Sequence, residues 1–227
     1  MTLDEIRKLI SDAEIQFSSD AVCRSGVIED VSGYEQEYVI YRGWNAALAN
    51  QCDEMWGEFN FNLVSCIKDS CANEVELSKA LSEVYLEDSH WDWFRKSVHY
   101  NSDSYQWFFL CVNGVAEGAC LIYHPKISAI AGDNIYYIEY IAVAPWNRPN
   151  PMEAQRYKGV GTSIIQAASL YANQELRLRY GFSLHSLPKA VGFYKHIGMT
   201  HIPANDKGTL AFFEMCETNA TVYAEVS

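Results

Sequence analysis

Asn113-Gly114 is the feature that most constrains this chain. The pair lies between "YQWFFLCV" (105–112) and "VAEGACLIYH" (115–124). Both central positions of a two-residue hairpin turn require positive φ, which Asn and Gly tolerate best, so the two flanking runs read as an antiparallel pair. In that register Cys111 faces Ala116 and Cys120 faces Trp107, so the two cysteines are not cross-strand partners. A third strand, "IYYIEYIAVA" (135–144), follows. Any fold for this chain must therefore contain a run of antiparallel strands.

Beyond the third strand comes a polar, proline-rich link, "PWNRPNPMEAQ", then "RYKGVG" and a helix over "TSIIQAASLYANQEL". A strand "GFSLHSL" (181–187) comes next, then a helix opened by Pro188 and stopped by Gly198, and a last strand "TLAFFEM" (209–215). Upstream, Leu3, Ile6, Ile10, Ala13 and Phe17 share one face of a helix over 2–17. "EYVIYR" reads as a strand and "WNAALANQCDEMW" (44–56) as a helix. "FNFNLVSCI" (59–67) suits a strand, 72–88 a helix, and 89–100 a second helix opened by Ser89 with Asp92 three residues on. The expected fold is α/β, a mixed and mostly antiparallel sheet flanked by helices. Residues 1–57 form a helical extension and 58–227 the main domain.

With 227 residues and 49% hydrophobic content, the chain can bury one sizeable core. Its net charge of −12 repels polyanions, which argues against nucleic acid as a partner. The seven cysteines are odd in number and show no CxxC pair, so zinc and redox chemistry are not expected and the thiols read as reduced and cytoplasmic. No spacing of His, Cys and Asp suggests a metal. The first residues lack the pattern of a signal peptide, and no run is long enough to span a bilayer, so no membrane role is expected.

"QRYKGVGT" (155–162) concentrates two glycines and two cations before an apolar helix. A Walker A loop needs its lysine after the second glycine, but Lys158 precedes the first one here. A dinucleotide fingerprint needs a third glycine where Ile164 stands. What remains is Arg-x-x-Gly-x-Gly at a helix start, where backbone N–H groups and the Arg156 and Lys158 charges suit a pyrophosphate. By itself the pattern fits an ordinary strand-to-helix turn as well.

Taken with "YIEYIAVAP" before it and "AVGFYKHIGM" (190–199) after it, the loop resembles the GNAT superfamily of acyl-CoA-dependent N-acetyltransferases over roughly residues 59–216. The resemblance implies one strand, two helices, three antiparallel strands, the glycine-loop helix, a strand, a helix and a closing strand or hairpin. Two departures stand out. The link before Arg156 is longer than in the family, and Leu187 stands where many members carry asparagine.

The resemblance also implies chemistry. Acetyl-CoA would be held by Ile141, Ala142, Val143, Arg156, Lys158, Gly159, Val160, Gly161 and Thr162. The Ile141 or Val143 N–H would polarise the thioester carbonyl. Glu139 would act as base, directly or through water, and Tyr194 would protonate the departing thiolate. Alternation puts Glu139 beside Ile141 and Val143, where desolvation raises a carboxyl pKa. An ion-paired Glu139 and a core Tyr194 remain alternatives, and His185 reads as structural or exposed. Glu87, Asp88 and Trp91 would contact a small-molecule or peptide amine, although capping and core packing explain that junction equally well. A non-catalytic acyl-CoA sensor is the rival reading, a toxin acting on aminoacyl-tRNA lacks the basic face it needs, and a homodimer is a further expectation from the family.

Overall fold

The structure, a computed structural model, describes residues 2–11 and 20–225. In chain order it contains α1 (Leu3–Ser11), β1 (Ala21–Glu29), β2 (Glu35–Arg42) and α2 (Ala46–Gln51). A π-helical turn over Cys52–Trp56 then leads into α3 (Gly57–Ser70), α4 (Glu74–Glu83) and α5 (Trp93–His99). Next come β3 (Tyr105–Val112), β4 (Val115–Ile127), β5 (Asn134–Val143), α6 (Val160–Gln174) and β6 (Phe182–Ser186). The chain closes with α7 (Val191–His196), β7 (Thr200–His201), β8 (Ala211–Met215) and α8 (Glu217–Glu225). The eight strands follow the order β1-β2-β3-β4-β5-β6-β8-β7, with β6 parallel to β5 and antiparallel to β8. No helix among the described residues is long and apolar enough to cross a membrane.

Two compact units share the chain. The first comprises Met1–Asn101, Phe109–Ala119 and Ala142–Val160, and the second Ser102–Phe108, Cys120–Ile141 and Gly161–Ser227. The hairpin turn in the first unit forms as its residues demand, with φ of 50° at Asn113 and 78° at Gly114.

The segment 59–67 is helix, not the strand its alternation suggests. Phe59, Leu63 and Ile67 are buried at four-residue steps, whereas Phe61 is 72% exposed. The apolar residues thus follow a helical stripe that continues from Ala49, Cys52 and Trp56, and the chain runs as helix from Ala46 to Ser70. Residue 57 lies inside that rod, and the residues before it include β1 and β2 as well as helix. Asn45 caps the rod by accepting the Leu48 N–H at 2.8 Å.

A second difference concerns α5. Asp92, not Ser89, is its N-cap, with Oδ1 accepting the Arg95 N–H at 2.7 Å. The helix is three residues shorter at its start than the spacing suggests, because the backbone of Ser89 and Trp91 is spent on turns to Leu86 and Asp88.

On α1, Ile6 packs on the buried pair Ala46 and Phe94, beside Trp44. The Arg7 guanidinium lies 5.0 Å from the Phe94 ring centroid. The rest of the helix expected over 2–17, from residue 12 on, lies outside the described residues.

In the second unit, α6 and α7 sit against one face of the strands. Tyr136 stacks on Phe182 at 5.3 Å, and its hydroxyl bonds Ser169 of α6 at 2.8 Å. Tyr194 of α7 lies 6.0 Å from Phe213 of β8.

Candidate acyl-transfer site

β5 and β6 pair through Tyr136, Tyr137 and Ile138, opposite Phe182, Ser183 and Leu184, and the pairing stops there. β5 nevertheless continues to Val143, so from Glu139 onward its main chain has no ladder to β6. A strand end that leaves its neighbour in this way can offer a main-chain donor to a ligand carbonyl.

Past the end of pairing, Glu139 shares a face with Tyr137 and Ile141, all three half-buried, while Tyr136 and Ile138 on the other face are buried. The Tyr137 hydroxyl sits 2.6 Å from His185 Nδ1, and His185 Nε2 sits 2.9 Å from the Asn205 carbonyl. A carbonyl can only accept, so Nε2 carries the proton and Nδ1 accepts from Tyr137. His185 is held at both nitrogens, in keeping with a structural role. Burial, then the Glu139 charge, pushes the Tyr137 hydroxyl above its ordinary pKa. Burial likewise holds Tyr194 up, so its hydroxyl keeps its proton at neutral pH. Gly161 and Thr162, both half-buried, belong to the first turn of α6, where no acidic side chain stands.

The other predicted cofactor residues fall in the first unit. Gly159 takes φ of +83°, a conformation that disfavours any side chain, and a Cβ there would meet nothing within 4 Å. Its glycine is required by backbone conformation alone. Val160 and Ala142 are buried, and Lys158 is exposed. The Arg156 guanidinium stacks on Trp146 at 4.7 Å and pairs with Glu153 at 2.9 Å. The Val143 carbonyl accepts from Arg148 at 2.7 and 3.1 Å.

Arg148 carries no signal in a sequence reading beyond being a lone cation in the proline-rich link, opposite an acidic junction. It forms a two-pronged pair with Asp88, NH1 to Oδ1 at 2.6 Å and NH2 to Oδ2 at 2.5 Å, with side chains only 15% and 10% exposed. Asp88 is therefore engaged by the protein itself. It lines a cavity of about 40 Å³ together with Asp53, Trp56, Asn60, Trp91 and Trp93. The three tryptophans meet edge to face, at 5.6 Å for both Trp56–Trp93 and Trp91–Trp93. Asn60 Oδ1 is buried with no hydrogen-bond partner among the described residues. Glu87 is half-buried and does not line it. Such a volume accommodates a few water-sized groups.

Glu117 is a second residue that sequence reasoning missed. It is 3% exposed on β4, and its Oε2 accepts from Trp146 Nε1 and from Asn147 Nδ2, both at 2.6 Å. Burial pushes the Cys111 thiol up to about 12 and raises Cys52 and Cys120 as well, so these three are poor nucleophiles.

The three antiparallel strands β3–β5, the end of β5–β6 pairing and the glycine loop at the start of α6 follow the order that the resemblance implied. No family model matches the chain, and no curated protein matches it. Solved structures do. The GNAT domain of S. lividans PAT is similar at 10% identity and a TM-score of 0.49, over 84% of this chain and 96% of that one. A PaiA N-acetyltransferase from Thermoplasma acidophilum, in complex with coenzyme A, is similar at 10% identity and 0.46, over 77% and 97%. An uncharacterised protein from Bacillus halodurans reaches 13% identity and 0.48, over 90% and 95%.

Proposed function

We propose that the chain is an N-acetyltransferase that moves an acetyl group from acetyl-CoA to a primary amine of a small molecule or peptide by direct attack. The observation that carries this reading is the end of β5–β6 pairing at Ile138 and Leu184, five residues before β5 itself ends at Val143. The diphosphate of coenzyme A goes to the N–H groups of Gly159, Val160, Gly161 and Thr162, with charge from Arg156 and Lys158. Ala142 borders the pantetheine arm, and the Ile141 N–H polarises the thioester carbonyl.

Glu139, directly or through a water, takes a proton from the incoming ammonium. The freed amine attacks the carbonyl carbon, the C–S bond breaks, and Tyr194 gives its proton to the departing sulfur. In the tryptophan-lined cavity, Trp91 offers a π face and Asn60 Oδ1 an acceptor to a cationic group. Glu87 supplies charge, and Asp88 acts through Arg148.

A thermal-shift titration with acetyl-CoA, followed by a thiol-release screen over polyamines, aminoglycosides, amino acids and peptides, tests this reading. Acetyl-CoA should stabilise the protein, and one amine class should release free thiol. Glu139→Gln and Tyr194→Phe should cut that turnover at least tenfold while cofactor affinity stays within about twofold. Binding without turnover on any amine would favour a sensor, and no binding would sink both readings.

A further inference from the structure

The link between β5 and α6 is long, contains Pro149 and Pro151, and after a single 3₁₀ turn over Pro145–Asn147 has no regular structure up to α6. Left to itself, such a segment samples many conformations, and ordering each residue costs conformational entropy. Yet the residues that lead into the glycine loop are tied down: the Arg156 carbonyl accepts the Val31 N–H at 3.1 Å and Tyr157 bridges Asp30, while within the link itself the ties run to Trp146 and Asn147. The Arg156 N–H donates to the Trp146 carbonyl at 3.1 Å, and the Arg156 side chain stacks on the Trp146 ring. The Tyr157 N–H donates to Asn147 Oδ1 at 3.0 Å, and Gln155 Nε2 donates to the Asn147 carbonyl at 2.8 Å.

Trp146 and Asn147 are in turn fixed by one buried side chain. Glu117 accepts from the Trp146 indole and the Asn147 amide on the same oxygen, and its main-chain carbonyl accepts the Ala144 N–H at 2.8 Å. The carboxylate also decides which way the Asn147 amide points. With the amide reversed, Asn147 Oδ1 would face the carboxylate, and its NH₂ would face the Tyr157 N–H. A buried carboxyl is an expensive way to fill space, since an apolar side chain would pack there without the desolvation cost. The burial does raise its pKa, against the pull of its two N–H donors and the Arg156 charge.

We propose that Glu117 is a positioning residue for coenzyme A: it clamps the Trp146–Asn147 turn, and that turn presents Arg156 to the diphosphate. The proposal rests on the acyl-CoA reading above.

A double-mutant cycle on coenzyme A affinity, measured by calorimetry on the full chain, tests it. Glu117→Leu removes the oxygen that accepts both bonds and should weaken coenzyme A binding about tenfold, as should Arg156→Ala. The double variant should bind no worse than Arg156→Ala alone, because Glu117 acts through Arg156. Glu117→Gln keeps an oxygen for both donors and should bind within about twofold of wild type, a rescue that generic loss of packing would not show. If Glu117→Leu does not fold, Trp146→Phe takes its place in the cycle, since it keeps the ring and deletes the indole N–H. Unchanged affinity in Glu117→Leu or Trp146→Phe, or losses that multiply in the double variant, would overturn the positioning role. A wild-type chain that folds and binds no coenzyme A would bring down the acyl-CoA reading first, and the positioning role with it.

Discussion

Half-buried Asp53 and fully buried Glu117 both gather N–H donors from distant parts of the first unit, but they do so in opposite ways. Asp53, on the π-helical turn, uses both oxygens: Oδ1 accepts the Trp93 N–H at 2.7 Å, and Oδ2 accepts the Phe94 N–H at 2.9 Å and Arg7 at 3.2 Å. Glu117 collects two neutral side-chain donors on one oxygen. The first device closes the start of α5 onto the long helical rod, and the second organises a stretch with hardly any secondary structure. Main-chain donors cannot be removed by substituting their side chains, so the Asp53 junction is fixed by backbone geometry. The Glu117 junction depends on the identity of Trp146 and Asn147, and a link of this kind can be retuned one side chain at a time.

The sharpest test of that contrast is the isosteric amide. Asp53→Asn must place an NH₂ group against a main-chain N–H, because both carboxylate oxygens are accepting. It should destabilise the fold by about 2–3 kcal/mol in urea denaturation. An Asp53→Asn variant as stable as wild type would show that the two junctions do not differ in kind.

The same residue makes a prediction about pH. Burial, reinforced by the nearby Asp92 charge, lifts the Asp53 pKa from 3.8 to about 6, against its N–H donors and Arg7. Burial opposes ionisation of Asp92 too, but the Arg95 N–H and Arg7 outweigh it and hold Asp92 below its ordinary value, so Asp92 stays ionised above pH 5. A raised folded-state pKa contributes stability that is complete below the ordinary value and is lost as pH rises through the folded value. The melting temperature of wild type minus that of Asp53→Asn should therefore shrink between pH 5 and 7. A difference that grows over this window would reverse the assigned direction.

How much of this was legible in the sequence depends on whether a pattern had one physical meaning. Asn113-Gly114 had one, because only a tight turn asks for two positive φ values in succession, and the strands on either side followed. "AVGFYKHIGM" likewise placed α7 and its stop at Gly198. "FNFNLVSC" had two meanings: Phe59, Phe61 and Leu63 alternate as in a strand, while Phe59, Leu63 and Ile67 recur as in a helix. Only packing decides between them, and it buried the second set and left Phe61 in solvent. Within the candidate site, Glu139 could be placed on its face by alternation. Glu117 and Arg148 could not, because their partners are 29 and 60 residues away and the spacing of a single chain does not encode such pairs.

The smallest effect is the most informative about the Glu117 junction. Trp146→Phe removes one N–H and leaves Glu117 Oε2 bonded to Asn147, so it should cost about 1 kcal/mol, less than half of Asp53→Asn. The aromatic ring remains to carry the Arg156 guanidinium and the edge contact with Phe59 at 5.7 Å. If the turn is held by additive side-chain bonds, amide exchange at Arg156 and Tyr157 should rise modestly while the rest of the unit keeps its protection. If the loss instead equals that of Asp53→Asn and exchange rises throughout the unit, the link is as integral to the core as the helical rod. The distinction between a junction fixed by backbone and one fixed by side chains would then disappear.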